Sequence, residues 1–260
     1  MDPKNLLIEK NQGIALVKIN RPQALNALNP EVLGELQCLF TGLSSDAAVR
    51  VIILTGSGEK AFVAGADITA MKTMGALEAK KFCDLGHETM QLIENCPKPV
   101  IAAVNGFALG GGLELALACD FIYAAENAKL GLPEVNLGIF PGFGGTQRLS
   151  RLIGKNKAKE LIFSARMLSA QEALSWGIVN KVVAAPELLA ETRKVAETLL
   201  TKGPLAIRLA KQAINEGADL DIQSGLNLER GIFPMIFATA DQKEGVTAFL
   251  EKRAANFKGE

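Results

Sequence analysis

Two glutamates stand alone in apolar, glycine-rich surroundings. Glu114 is the one charge in residues 105–118 (NGFALGGGLELALA), and Glu134 is the only acid in residues 130–149 (LGLPEVNLGIFPGFGGTQRL). Carboxylates among apolar side chains are seldom left unpaired, so isolated ones are candidates for moving protons. The plainer alternatives are a Glu114 favoured by a helix N-terminus and a Glu134 ion-paired with Arg148. Three glycines at 110–112 open an expected helix, and first-turn N–H groups lack internal partners at the positive end of the dipole. Glu114 lies three residues past Gly111, on the same side of that turn. A third segment, residues 61–68 (AFVAGADI), puts small residues at Ala64, Gly65 and Ala66, where another group can approach the backbone. By itself that is a tight turn. Together the three segments make a kit in which N–H groups hold a developing oxyanion while two acids transfer protons. Asp120 reads as structural, capping or pairing locally at the end of the Glu114 helix.

Other chemistries find little support. Residues 56–61 match G-x-G-x-x-A, but the continuation FVAGAD is not a helix start, as a dinucleotide fingerprint requires. There is no G-x-x-x-x-G-K-[ST] loop and no G-x-S-x-G elbow. His87, the single histidine, lies in a helical stretch and reads as packed or solvated, which leaves no histidine-rich metal site. Cys38, Cys83, Cys96 and Cys119 form no C-x-x-C pair and read as small buried hydrophobes in a reducing compartment. With 28 basic and 28 acidic residues, binding that rests on phosphate neutralisation is not expected, and the basic run 148–159 reads as a solvated helix face. Residues 1–13 contain no apolar core of a signal peptide. The longest uncharged apolar run, 100–113, is 14 residues broken by Asn105 and four glycines, too short to span a bilayer. A cytoplasmic α/β protein is expected.

The elements that must position these residues follow from periodicity. A chain of 260 residues buries roughly three quarters of its unfolded surface, enough for one large core. Residues 14–20 and 49–55 are β-branched strand runs. Between them, 30–43 has helical spacing, with Asn29 as N-cap and Pro30 at the first helical position. Residues 71–94 read as one helix; Pro97 and Pro99 then force extended backbone into a strand at 100–104. The Glu114 helix and a strand at 121–124 follow. From 203 onward only helices are expected, at 204–216, 222–238 and 242–252, with Asp241 and Glu244 as a capping pair. This divides the chain into a core of residues 1–200 and a helical region of 201–260.

At these segments the chain resembles the crotonase (enoyl-CoA hydratase) family over nearly its whole length, including SAQEALSWGIVNKVV and DQKEGVTAFLEKR. The resemblance implies an α/β spiral of ββα turns, then a C-terminal helical region that builds trimers, commonly paired as hexamers. It implies that Ala66 and Gly111 are the two oxyanion-hole donors and that Glu114 and Glu134 are the catalytic acids. Gly142 would help place a water, and Ala64, Gly65, Ala66, Asp67 and Ile68 would line the path of the CoA. Thr69 stands where many relatives carry Lys, which puts a phosphate contact there in doubt. The implied reaction is reversible hydration of a trans-2-enoyl-CoA, with an acyl-CoA as substrate and no metal or separate cofactor. The alternatives are an enoyl-CoA isomerase of the same family and a non-catalytic RNA-binding relative. Two retained glutamates favour hydration, because simple isomerases tend to keep one.

Overall fold

The computed structural model describes residues 3–260, apart from the side chain of Ala70. An antiparallel hairpin, β1 (Leu6–Asn11) and β2 (Ile14–Ile19), starts the larger of two sheets. Helix α1 (Pro30–Ser45) begins as its sequence dictates: Asn29 Oδ1 accepts the Val32 N–H at 2.9 Å and Pro30 occupies the first turn. Three ββα turns follow. Strands β3 (Val51–Gly56) and β4 (Ala61–Val63) lead to α2 (Ile68–Met71) and α3 (Ala76–Glu94). Strands β5 (Val100–Val104) and β6 (Phe107–Leu109) lead to α4 (Gly111–Leu117). Strands β7 (Phe121–Ala125) and β8 (Lys129–Gly131) lead to a 3-10 turn at Glu134–Leu137, then α5 (Gly145–Ile153) and α6 (Lys155–Ser164). Strand β9 (Leu168–Ser169), α7 (Ala170–Ser175), β10 (Lys181–Val183) and α8 (Leu188–Leu200) complete the spiral.

Each turn thus lays one strand in a sheet ordered β1-β2-β3-β5-β7-β10 and the next in a sheet ordered β4-β6-β8-β9. The larger sheet is parallel from β2 onward, and the smaller is parallel except for β8 with β9. This is the crotonase-like ββα spiral. The continuous apolar run of β3 is explained by cover on both faces. Ile52 and Leu54 point into the main core with Leu36, Phe40 and Met90, whereas Val51 and Ile53 meet Leu188 and Ala196 of α8.

Beyond residue 203 the regular elements among the described residues are helical, namely α9 (Pro204–Gly217), α10 (Ile222–Ile232), a 3-10 stretch at Phe233–Ala238, and α11 (Ala240–Leu250), and residues 251–260 follow as irregular chain. Lys211 ties α9 to the core by donating to Asp120 Oδ2 at 2.9 Å and to the Lys98 carbonyl at 3.3 Å.

Several expectations need correction. The helix expected over 71–94 is broken before Ala76, because Glu78 Oε2 reaches back to the Gly75 N–H at 3.1 Å and starts a fresh N-terminus there. The helix expected over 222–238 ends at Ile232, where Pro234 removes a donor and the chain tightens to 3-10. Asp241 and Glu244 do not cap α11. Thr239 does, its Oγ1 accepting the Gln242 N–H, while buried Asp241 takes the N–H groups of Lys258 and Gly259 and Glu244 holds Arg253. Asp120 does not act locally; it accepts the Val100 N–H at 2.6 Å and pairs with Lys211. Among the cysteines only Cys96 and Cys119 are buried; Cys38 is exposed and Cys83 half-buried. The G-x-G-x-x-A run bends from β3 into β4 and opens no helix. Among the described residues no helix is long and apolar enough to cross a membrane.

Candidate active site

The two oxyanion-donor candidates are delivered by the shorter sheet. After β4 the chain bridges to Leu28: the Leu28 N–H donates to the Gly65 carbonyl at 2.9 Å, and the Asp67 N–H to the Leu28 carbonyl at 2.7 Å. The intervening Ala66 N–H is turned away from Leu28 and has no hydrogen-bond partner among the described residues. Beside it, Gly110 turns the chain out of β6 with φ +51, a conformation open to glycine at little cost, and α4 begins. Gly112 is required for close approach: a Cβ there would lie 2.0 Å from the Val63 carbonyl oxygen. The absence of a side chain lets α4 seat its N-terminus directly against β4, with the Gly111 N–H among the unpaired first-turn donors.

The two carboxylates are held in opposite ways. Glu114 is buried on α4, and its Oε1 accepts the N–H of Phe143 at 2.8 Å and of Gly145 at 2.7 Å. Burial pushes this carboxyl above its ordinary value. The two N–H bonds and the Arg148 charge oppose that push by favouring the ionised form. Glu134 opens the 3-10 turn after Pro133, and its buried Oε2 has no hydrogen-bond partner. Burial, followed by the neighbouring Glu114 charge, pushes the Glu134 carboxyl up to about 7. Burial raises both carboxyls, but Glu114 has the N–H groups of Phe143 and Gly145 to stabilise its charge, whereas Glu134 has only its own backbone N–H. The ion pair considered between Glu134 and Arg148 does not form. Arg148 is engaged by Glu94 through two bonds, at 3.1 and 2.6 Å, and by the Phe143 carbonyl. Arg151 in the same basic run pairs with Asp219.

Both glutamates face one cavity of about 530 Å³. The structure brings Ala64, Gly65, Ala66, Ile68, Gly111 and Gly142 to the same walls. Asp67 is not on the wall. Its side chain is committed to Arg21 at 3.2 Å and to capping α2 through Thr69. The rest of the lining is apolar apart from Asn136 and Cys83, and includes Met71, Met74, Phe82, Phe140 and Phe143, with Phe82 and Phe143 packed edge-to-face at 5.1 Å. Sequence reasoning left these unassigned, although the irregular glycine- and proline-punctuated stretch around Phe143 was already marked. Cys83, read from sequence as a buried hydrophobe, also lines the cavity.

Comparison with known proteins finds relatives that match along nearly the whole chain. Residues 9–260 match the family model described as enoyl-CoA hydratase/isomerase. The chain is 55% identical over 254 residues to a crotonyl-CoA hydratase of Syntrophomonas wolfei, with 98% of each chain covered. It is 51% identical over 253 residues to a short-chain-enoyl-CoA hydratase of Clostridium acetobutylicum, with 97% of each covered. The crystal structure of an enoyl-CoA hydratase from Bacillus anthracis superposes with a TM-score of 0.96 at 45% identity, covering 99% of this chain and 100% of that one.

Proposed function

The chain belongs to the enoyl-CoA hydratase/isomerase family, and from that premise we propose that it adds water reversibly to short-chain trans-2-enoyl-CoA thioesters, giving 3-hydroxyacyl-CoA. The observation that carries this reading is the contrast between two carboxylates on one cavity: Glu114 with two N–H donors, Glu134 with an unpartnered buried oxygen. The thioester oxygen lies between the N–H groups of Ala66 and Gly111. Negative charge grows on it as water attacks C3, so donors aimed there stabilise the transition state more than the substrate. Ionised Glu114 takes a proton from the water while its OH bonds to C3. Protonated Glu134 gives its proton to C2. The Gly142 backbone helps hold the water, and Ala64, Gly65, Ala66 and Ile68 follow the CoA. Hydration leaves the overall oxidation state unchanged, so the reaction calls for no redox group, and CoA enters as part of the substrate. The names of the two similar relatives, crotonyl and short-chain, support a small acyl group.

Residues 1–200 form the catalytic core in this reading, and 201–260 a region that assembles trimers, paired as hexamers, in the cytoplasm. Exposed apolar side chains on the terminal helices support it: Ile214, Phe233 and Phe249 are 67, 62 and 83% exposed in the single chain. The test is loss of the conjugated-thioester absorbance of crotonyl-CoA with parent, Glu114→Gln and Glu134→Gln. Each variant should lose 10²- to 10⁴-fold in turnover while still binding acyl-CoA. Hydration by Glu114→Gln at the parent rate would overturn the assignment.

A further inference from the structure

One peptide unit beside Glu114 is held at both ends. The N–H of the Gly142–Phe143 peptide donates to Glu114 Oε1 at 2.8 Å, and its carbonyl, from Gly142, accepts the Cys83 S–H at 3.0 Å. That carbonyl has no other partner among the described residues, and it precedes α5, so no helical hydrogen bond orients it. Cys83 comes from α3, the helix that also supplies Ala79 and Phe82 to the cavity wall. Burial, with Asp84 and Glu114 nearby, pushes the Cys83 thiol up, so at neutral pH it keeps the proton it must donate.

We propose that Cys83 is a positioning residue: its S–H fixes the Gly142–Phe143 peptide in the orientation that seats Glu114. The inference rests on the hydratase reading of Glu114. It acts in two ways. It restrains a loop in which glycines at 142, 144 and 145 provide few side-chain contacts. It also polarises the peptide, since an amide whose carbonyl accepts a hydrogen bond becomes a stronger N–H donor. A stronger donor favours the ionised Glu114 that must take a proton from water. The charged and titratable groups facing Glu114 are Glu134 from the 3-10 turn, Cys83 from α3, and Arg148 from α5, the last engaged by Glu94. His87 of α3 lies beside Gly144 at the far side of the loop. Arg148 anchors the next peptide through the Phe143 carbonyl at 3.1 Å, so losing the Cys83 bond should loosen the loop without releasing it.

The experiment compares the full-length parent with Cys83→Ser, Cys83→Ala and Cys83→Val, using crotonyl-CoA across pH, with thermal unfolding as the fold check. Ser keeps a donor, and because its C–O bond is shorter than C–S the glycine-rich loop must move in by a few tenths of an ångström for the hydroxyl to reach the carbonyl. Val keeps bulk without a donor. Ala and Val should lower kcat about 3- to 10-fold with KM changed less than about twofold. They should also move the acid limb of the kcat profile up by about 0.2 to 0.6 pH units, because Glu114 then protonates more readily. Ser should keep the parental kcat to within about twofold and the parental limb. A parental limb in both Ala and Val, or a loss in Ser as large as in Val, overturns the proposal. Glu114→Gln is run alongside. If it hydrates at the parent rate, the hydratase reading of Glu114 fails and takes this inference with it; if it is inactive while Ala and Val are parental, only the role of Cys83 is refuted.

Discussion

Replacing Glu134 by Gln should make the folded protein more stable at alkaline pH while disabling it, and the size of the gain follows from burial. In the unfolded chain the carboxyl titrates near 4.5; in the folded site burial and Glu114 raise it to about 7. A folded value above the unfolded one means that its contribution to stability is fully present below pH 4.5 and is lost as pH rises through 7. At 1.36 kcal/mol per pH unit the loss is about 3 kcal/mol, and solvent at the outer edge of this half-buried side chain brings it to about 2 kcal/mol. Gln keeps the size and removes the charge. At pH 4.5–5 both proteins are largely neutral at this position, and neither has a partner where Oε2 sits, so their stabilities should nearly coincide. At pH 9 the variant should be ahead by about 2 kcal/mol, roughly 4–8 °C in midpoint for a chain of this size.

The assay is thermal unfolding of parent and variant from pH 4.5 to 9, at matched protein concentration so that the proposed assembly contributes equally to both midpoints. The difference should open between pH 4.5 and 7 and then level. A difference that stays constant across this range would refute the reasoning, since it would mean that no proton is taken up at Glu134 on folding. Turnover supplies an independent check. In the proposed mechanism hydration uses protonated Glu134, so the parent rate should fall above about pH 7, and the residual rate of the variant should be flat through that region.

The oxyanion hole is tested by Gly111→Pro, which deletes one N–H at the first position of α4, where a proline ring disturbs a helix least. Turnover should fall roughly 10²- to 10³-fold, about 3–4 kcal/mol, with helix content retained by circular dichroism; near-normal turnover would mean that Gly111 does not face the thioester. Deleting residues 203–260 should leave an aggregating core, because α9 anchors Asp120 and covers part of the spiral; a soluble, active monomer from that truncation would refute the assembly reading. The double variant Glu114→Gln/Glu134→Gln should lose less than the product of the two single losses, because in the proposed mechanism both proton transfers belong to one addition step. Fully multiplicative kinetics would show them acting independently.

The parts of the site that could be read from sequence are those carried by local contrast. Glu114 and Glu134 stand out as single acids in apolar segments, and the glycines beside them mark close backbone approach. The strands that bring Ala66 and Gly111 together could not be read in the same way. Strands β4, β6 and β8 have three residues each, too few to display a period, and they are specified by their pairing with one another. Strand β1 does not show an alternating pattern because it is an edge: of LLIEKN only Leu6 is buried, while the apolar Leu7 is exposed and the chain turns polar after Ile8. Long-range partners were equally hidden. Arg148 lies 14 residues from Glu134 in sequence, yet it is taken by Glu94, 54 residues away, and Cys83 meets the Gly142 carbonyl across 59 residues. The first of these partnerships bears directly on the chemistry. An Arg148 bound to Glu134 would hold that carboxyl in the ordinary carboxylate range, ionised at neutral pH and with no proton to give C2. By engaging Arg148 elsewhere, Glu94 leaves Glu134 buried without a cation, and that absence keeps its proton available near pH 7. The same guanidinium holds the Phe143 carbonyl, in the loop whose N–H groups favour the charged form of Glu114 against its burial. One ion pair, remote from both acids in sequence, therefore helps to separate the donor from the acceptor.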